Sequence, residues 1–414
     1  MLAGRSLLRL DWPHRWRRRY ALAASAWAGK HLGWLAFLLL AAAGASAQEV
    51  RIVPGGVELE ERLGVPSVPG DVVEPLDHAP GKDKPAREFV IAPLPSRNPL
   101  LGWTLALPVV WLYQPAFSQP EDSVWTTGGA VFTAEGESVG GGLFHRMSLG
   151  GDQWRLAAAG FTADLRYEYF GIGGSPDDGI PLRQDVDFAV VHALYRVAPS
   201  LFLGVRASGS QSDTAIDLPP GLPPGTLSED LDLDIGLVTL GPMLVYDTRD
   251  NRFYPRSGWL IEGRADIART GLGSDVDYES YNWAFNRYET LTEQGTLALR
   301  VATRYVSGDV PFFLVPGFGS GSDLRGYQTG TYRDRFLFAA QAEWRERLTD
   351  RWGVVAFAGI GTVAPDFAGW DETLPAAGIG LRWVAAPKNE LSVRFDVAWG
   401  RGDSEFYVSI GEAF

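Results

Sequence analysis

Regular alternation of apolar and polar side chains along short segments is the feature that most constrains the fold of this chain. In residues 279–288, ESYNWAFNRY, the side chains of Tyr281, Trp283 and Phe285 fall on one side, and mainly serine and asparagine fall on the other. A repeat of two is typical of β-strands, because successive side chains of a strand point to opposite faces. The same alternation recurs at 259–267, 297–305 and 391–400.

The two faces of these segments indicate which side meets lipid. The apolar face carries Trp, Tyr and Phe towards the strand ends, and the polar face carries charges of both signs. A soluble sandwich would bury its apolar face against a second sheet, whereas a membrane barrel presents that face to lipid and encloses the polar one. Sixteen candidate strands lie between residues 88 and 414. We therefore predict an all-β fold, a 16-stranded antiparallel transmembrane β-barrel with a luminal loop.

Composition excludes several classes of function. The chain has no cysteine, and its five histidines are scattered, so we expect neither a metal site nor a cofactor. The formal net charge is −13, which excludes the basic surface of a nucleic-acid-binding protein.

The first part of the chain is predicted to consist of two short regions. Residues 1–47 combine a basic start, an apolar run and Ala45-Ser46-Ala47, which is typical of a secretory signal peptide; a membrane anchor is the alternative. Residues 48–87 are rich in proline, glycine and charge and are predicted to be an extended periplasmic linker. The barrel domain is expected at 88–414.

A charged segment, VYDTRDNRFYPRSG, lies between two predicted strands. Its acids and bases resemble a catalytic cluster, but no histidine or metal-ligand set accompanies them, so we interpret it as a salt-bridged turn with no catalytic residues. We expect this turn on the periplasmic rim, with its charges paired to each other. The residues of this motif are Asp247, Arg249, Asp250, Phe253, Tyr254, Pro255 and Gly258.

A glycine-rich stretch at 317–335 is the longest such connection in the second half of the chain. It lacks the Lys-Ser/Thr ending of a phosphate-binding loop. An arginine at its centre suits a loop folded into a polar lumen, where it would need carboxylate partners. The predicted tip is Asp323, Leu324, Arg325, Gly326 and Tyr327, and the candidate partners of Arg325 are Glu343 and Asp396.

The last ten residues, EFYVSIGEAF, form another alternating segment. The pattern places Phe406, Val408, Ile410 and Phe414 on one face. A final amphipathic strand closed by phenylalanine resembles the signal that outer-membrane barrels present to their assembly machinery.

Four segments, taken in order, resemble one family. They are YDTRDNRFYPRSG (246–258), DLRGY (323–327), AEWRERL (342–348) and RFDVAWG (394–400). This combination, before a final phenylalanine, is similar to the bacterial surface antigen barrel of the BamA/TamA superfamily. The resemblance implies sixteen strands, a sixth extracellular loop (310–333) folded into the lumen, and an Arg325 held by acids on the inner wall. It also implies an outer-membrane location.

The sequence departs from this family in two respects. The family usually has a Phe-x-Asp-x-Gly strand after the loop, but this chain has FAGIG (357–361), with Gly359 at the aspartate position. One expected anchor of Arg325 is therefore missing. Residues 48–87 are also too few for a periplasmic POTRA module, so we expect a stand-alone barrel.

Three functions remain open at this point. The first is a non-enzymatic role in outer-membrane biogenesis, or in protein insertion or translocation. Its partners would be outer-membrane lipid and other outer-membrane or periplasmic proteins. Its structural basis would be a short pairing between the first and last strands, since Pro93, Pro95 and Pro99 interrupt the first strand. The second is a porin-like channel or a plugged structural barrel, with a lumen lined by Glu262, Arg264, Asp266, Arg300 and Arg304. The third is a hydrolase, for which His145 and His192 are the barrel's only histidines and have no recognisable partner.

Overall fold

The fold of this chain is a single antiparallel β-sheet whose strand order returns to its start. The computed structural model describes residues 88–91, 93–98, 101–119, 122–169, 180–216, 232–251, 253–319, 323–327, 331–370, 372–387, 390–402 and 404–414. The predicted signal peptide (1–47) and linker (48–87) lie outside these residues. Among the described residues, no helix is long and apolar enough to cross a membrane.

The described residues contain seventeen strand segments. They are β1 (Glu88–Ile91), β2 (Leu94–Asn98), β3 (Gly102–Tyr113), β4 (Trp125–Ala134), β5 (Val139–Leu149), β6 (Trp154–Tyr169), β7 (Ile180–Ala198), β8 (Leu201–Ile216), β9 (Asp232–Asp247), β10 (Gly258–Ala268), β11 (Tyr278–Thr290), β12 (Gly295–Gly308), β13 (Phe336–Arg347), β14 (Trp352–Ala364), β15 (Leu374–Ala386), β16 (Leu391–Trp399) and β17 (Ser404–Ile410). Short 3-10 turns occur at Glu135–Glu137, Thr270–Leu272 and Phe312–Leu314.

Strand pairing follows the order of the chain. Each strand from β3 to β16 pairs antiparallel with the next, and β17 lies beside β2 in the strand order. We call the boundary between β17 and β2 the seam. β1 pairs with residues 109–112 of β3 and β2 pairs with residues 102–106, so these two segments share one row of the sheet. Pro93 lies between them, and its missing N–H explains why one predicted strand is split into two segments.

The two faces of the sheet have the polarity that the alternation predicts. On β11, the side chains of Tyr281, Trp283 and Phe285 are exposed on the outer face, and Ser280 and Asn286 are buried on the inner face. The all-β antiparallel class and the apolar outer face are therefore confirmed. An outer face of this kind is what a lipid-exposed barrel requires.

The connections differ in length at the two ends of the sheet. The end with the short connections 150–153, 199–200, 291–294 and 348–351 also carries the β9–β10 connection, and we call it the turn end. The opposite end, which we call the loop end, carries the β12–β13 connection. The chain enters β1 and leaves β17 at the turn end, so the segment after β17 starts beside the short turns.

Candidate functional site

The tip of the β12–β13 loop is buried against the inner face of the sheet. Asp323, Leu324, Arg325 and Tyr327 are each at most 3% exposed. Two-residue alternation directs Glu343 of β13 and Asp396 of β16 to the same face, and both carboxylates are fully buried. The loop tip thus lies among the inward side chains of the last strands.

Arg325 makes direct ion pairs with two carboxylates. Its Nη1 donates to Asp396 Oδ2 at 2.5 Å, and its Nη2 donates to Glu343 Oε2 at 2.6 Å. Its guanidinium also lies 3.4 Å from the ring centroid of Phe357 on β14. A planar guanidinium is suited to this geometry because it can donate in two directions while one face stacks on an aromatic ring.

Two further arginines complete this group, and the sequence analysis did not identify them. Arg345 Nε donates to Glu343 Oε1 at 2.8 Å, and Arg382 Nη1 donates to Asp396 Oδ1 at 2.6 Å. Arg382 Nε also donates to Glu412 Oε2 at 2.6 Å. We call these six residues the Arg325 cluster: Arg325, Glu343, Arg345, Arg382, Asp396 and Glu412. The alternation provided a signal for Arg345, which lies two residues after Glu343 on the same face.

Asp323 anchors the loop tip to a different strand. Its Oδ1 accepts from Arg300 Nη2 at 2.7 Å, and its Oδ2 accepts from Arg304 Nη2 at 2.5 Å. From the sequence, these two arginines are expected to line a possible pore. In the structure they bind the loop tip, so the carboxylate at 323 and the guanidinium at 325 are held by opposite charges on the wall.

The remaining tip residues contact the loop-end part of β15 to β17. The Gly326 N–H donates to the Tyr407 hydroxyl at 2.9 Å, and the Tyr327 hydroxyl donates to the Pro375 carbonyl at 2.5 Å. Gly326 has φ +111°, and a Cβ there would lie 2.8 Å from the carbonyl carbon of Trp399. Glycine is therefore required both by the backbone conformation and by the close approach of two main chains.

Gly359 stands at the position where the family usually has aspartate. The space that a side chain would take there is occupied by the apolar side chain of Leu324. A Cβ at Gly359 would lie 3.0 Å from Leu324 Cδ1, and a Cβ at Gly361 would lie 3.0 Å from Leu324 Cδ2. The two glycines thus leave room on β14 for the Leu324 side chain, which packs with Phe318, Tyr327 and Leu337. The loop tip gains hydrophobic contact at the place where a carboxylate was expected.

The charged turn between β9 and β10 has the internal ion pair that we predicted. Arg249 Nε and Nη2 donate to Asp247 Oδ1 and Oδ2 at 2.9 and 3.0 Å. Asp250 Oδ1 accepts from the backbone N–H groups of Arg256 and Ser257 at 2.9 and 3.1 Å. Gly258 has φ +102°. These contacts fix the conformation of the turn.

The aromatic residues of this turn pack into the protein, a placement that the sequence pattern does not predict. Phe253, Tyr254 and Pro255 are buried, and Phe253 belongs to a cluster with Val110 and Leu112 of β3 and with Leu391 and Ile410. The Tyr254 ring centroid lies 4.6 Å from the Arg347 guanidinium. Burial raises the pKa of the Tyr254 phenol, and the nearby Glu412 carboxylate raises it further.

The final segment also differs from the sequence interpretation. Phe406 and Val408 are half-buried, and Ile410 is buried in the cluster that contains Phe253. Gly411 has φ +85°, and after it Phe414 packs against Phe202 and Tyr288 on the inner face. The Phe414 carbonyl accepts from Arg345 Nη2 at 2.8 Å. The four residues therefore do not share one face, because the backbone turns at Gly411.

The two barrel histidines lie on different strands, His145 on β5 and His192 on β7. His145 Nδ1 lies 2.8 Å from Thr127 Oγ1, and the imidazole and the Trp125 ring make an edge-to-face contact with their centroids 5.5 Å apart. His192 is buried on β7. The described part of the chain contains no group of three or more His, Cys, Asp or Glu side chains that could hold a metal ion.

Comparison with known proteins gives one family and a set of structural neighbours. The Omp85 superfamily domain matches residues 129–414. The fold is similar to that of BamA from Haemophilus ducreyi lacking POTRA domains 1–3, with 15% identity, a TM-score of 0.54, and coverage of 80% of this chain and 70% of that chain. It is also similar to CdiB from Acinetobacter baumannii, with 12% identity, a TM-score of 0.50, and coverage of 79% of this chain and 65% of that chain. No curated protein matches this chain. At these identities the likeness to the solved structures establishes the fold alone.

Proposed function

Because the chain belongs to the Omp85 superfamily, we propose that it is an integral outer-membrane barrel with a non-enzymatic role in membrane biogenesis or in protein insertion or translocation. Its partners are outer-membrane lipid along the outer face and, during its action, other outer-membrane or periplasmic proteins. The observation that carries this proposal is the small extent of the seam.

The seam joins two of the three shortest described strands of the sheet. β2 has five residues and β17 has seven, whereas β6, β7 and β8 have 16, 19 and 16. Pro95 lies within β2 and has no N–H to donate to a neighbouring strand. Few backbone hydrogen bonds therefore hold β17 to β2, and this boundary is the least costly place at which to separate the sheet.

A separated seam exposes two strand edges that an incoming chain can pair with. An exposed edge presents unpaired N–H and C=O groups, and an extended peptide satisfies them by adding a strand. In lipid such groups have no other partner, so addition of a client strand is strongly favoured. This supports insertion of β-rich client proteins through the seam.

The porin-like alternative has less support from the inner face. Arg300 and Arg304 bind Asp323 of the loop tip, and Arg264 Nε donates to Asp266 Oδ2 at 3.2 Å. The charges that a pore would use to select solutes are thus engaged in ion pairs, and the loop tip lies among them.

A covalent tether across the seam tests the proposal. The chain has no cysteine, so Leu105→Cys on β3 and Phe406→Cys on β17 can be joined by a reducible bis-maleimide that spans two strand spacings, roughly 10 Å. We expect the tether to reduce the rate at which vesicles containing the protein accept an outer-membrane barrel client by about tenfold, since a held seam leaves no edge to pair with.

The matched control places the same cross-linker across a continuous part of the sheet. Phe285 of β11 and Val301 of β12 are directly opposite each other and both exposed. A tether between cysteines at these positions should leave client insertion unchanged, and cleavage of the seam tether should restore it. Equal insertion rates with and without the seam tether, or no acceleration by the untethered protein, would contradict the proposal.

A further inference from the structure

The β9–β10 turn contains two aromatic side chains, Phe253 and Tyr254, which are buried in the protein. Asn251 Oδ1 accepts from the backbone N–H groups of Phe253 and Tyr254, at 2.8 and 3.0 Å. Together with the Asp250 hydrogen bonds, this holds the turn in one conformation. Phe253 is 2% exposed and Tyr254 is 5% exposed. A turn braced in this way presents its rings in a fixed position.

Phe253 belongs to a buried cluster that contains residues from both sides of the seam. Val110 and Leu112 come from β3, which pairs with β2, and Leu391 and Ile410 come from β16 and β17. β9 and β10 lie in the middle of the order that runs from β2 to β17. Phe253 therefore packs with strands that flank the seam, although its own hairpin lies far from the seam in the strand order.

A polar contact holds the turn to the last strands at a second point. Asn251 Nδ2 donates to Glu390 Oε2 at 3.2 Å, and Glu390 Oε1 accepts from Arg347 Nη1 at 2.5 Å. Glu390 lies in the connection between β15 and β16. Arg347 also stacks on Tyr254. The turn is thus tied to the β13–β16 side by hydrogen bonds, and Phe253 joins the apolar cluster.

We propose that Phe253 holds the seam closed at the turn end. Separation of β17 from β2 moves Ile410 and Leu391 away from Val110 and Leu112, so it divides the cluster and exposes apolar surface to water. Phe253 fills the space between these side chains and makes the division costly. The inference rests on the sheet alone and holds whether or not the barrel inserts client proteins.

Removal of the Phe253 ring tests this role in the purified protein without a client. Spin labels at Leu105→Cys and Phe406→Cys report the distance across the seam by pulsed electron resonance. The unmodified turn should give one narrow distance distribution. Phe253→Ala should add a second population that is longer by more than one strand spacing, about 5 Å. Phe253→Leu should restore the single distribution, because leucine keeps apolar volume in the cluster.

Two controls separate a local effect from general loosening of the barrel. Trp259→Ala removes a large aromatic residue from the outer face of the same hairpin, and it should leave the seam distance unchanged. Labels at Phe285→Cys and Val301→Cys should give one distance in every variant.

A second variant keeps the test decisive if Phe253→Ala does not fold. Asn251→Ala removes the acceptor of two turn N–H groups and the contact with Glu390, while the Phe253 ring is kept. It should also produce the longer seam population. A single, unshifted seam distance in the folded variants, or equal broadening in Trp259→Ala, would overturn the proposal.

Discussion

Arg325→Ala is expected to lower the free energy of unfolding by about 3–5 kcal/mol, because it leaves buried carboxylates without their shared partner. Glu343 and Asp396 are fully buried and each loses a direct ion pair. Arg345 and Arg382 remain bound to them, but neither can occupy the space above Phe357. The measurement is the denaturant midpoint of the detergent-solubilised protein. Unfolding is monitored on a gel by the disappearance of the faster-migrating folded band.

The control for this prediction is an arginine pair of the same chemistry at the surface. Arg401 pairs with Glu372, and both side chains are about half exposed. Arg401→Ala should cost less than about 1 kcal/mol, since water replaces the lost contact. Arg325→Lys should fall between the two, because an ammonium cannot donate to two carboxylates and stack in the same way. Equal destabilisation by Arg325→Ala and Arg401→Ala would contradict the assigned role of the cluster.

Gly359→Asp, which introduces the residue that the family usually carries, is expected to destabilise this chain by about 3 kcal/mol. A Cβ at this position would lie 2.7 Å from Gln341 Cγ, 2.8 Å from the Ala340 carbonyl oxygen and 3.0 Å from Leu324 Cδ1. The carbonyl belongs to a paired strand and cannot move away. The added carboxylate would also displace Leu324 from its apolar contacts. Thermal and denaturant unfolding both measure this loss.

The new aspartate side chain is expected to clash with Leu324, and a double-mutant cycle measures this interaction. Leu324→Ala removes the atoms that meet the new side chain, so the double variant should be more stable than the sum of the two single losses by about 1 kcal/mol or more. Gly271→Asp is the matched control, since a Cβ at Gly271 meets nothing within 4 Å. A stable Gly359→Asp variant, or strict additivity with Leu324→Ala, would show that Leu324 does not occupy the aspartate position.

Side-chain direction was predictable from the sequence wherever a strand continues through the residue. Glu343 and Asp396 could be identified as inward carboxylates because they lie on the polar side of alternating segments. Their pairing with Arg325 could not follow from that pattern, since it depends on where a loop of irregular backbone ends. The family resemblance supplied that link, and the structure adds Arg345, Arg382 and Glu412.

Segments outside the strands were the least predictable part of the site. The place where the Phe253 side chain packs depends on residues of β3, β16 and β17, which are distant from it in sequence. Phe414 was expected to continue the face of Phe406, but a single positive φ at Gly411 ends the alternation. The reason for a glycine at position 359 likewise could not be predicted, because it depends on the packing of Leu324 of the loop against β14.

The conductance of the purified protein in planar bilayers tests the central claim most directly: the inner side of this barrel is occupied by a loop that the Arg325 cluster holds in place. We expect the unaltered protein to form no steady large pores. Arg325→Ala should produce larger and more frequent openings, and Arg401→Ala should behave like the unaltered protein. Steady large pores of equal conductance in the unaltered protein and in Arg325→Ala would show that the loop does not occlude the barrel and would favour a porin-like channel.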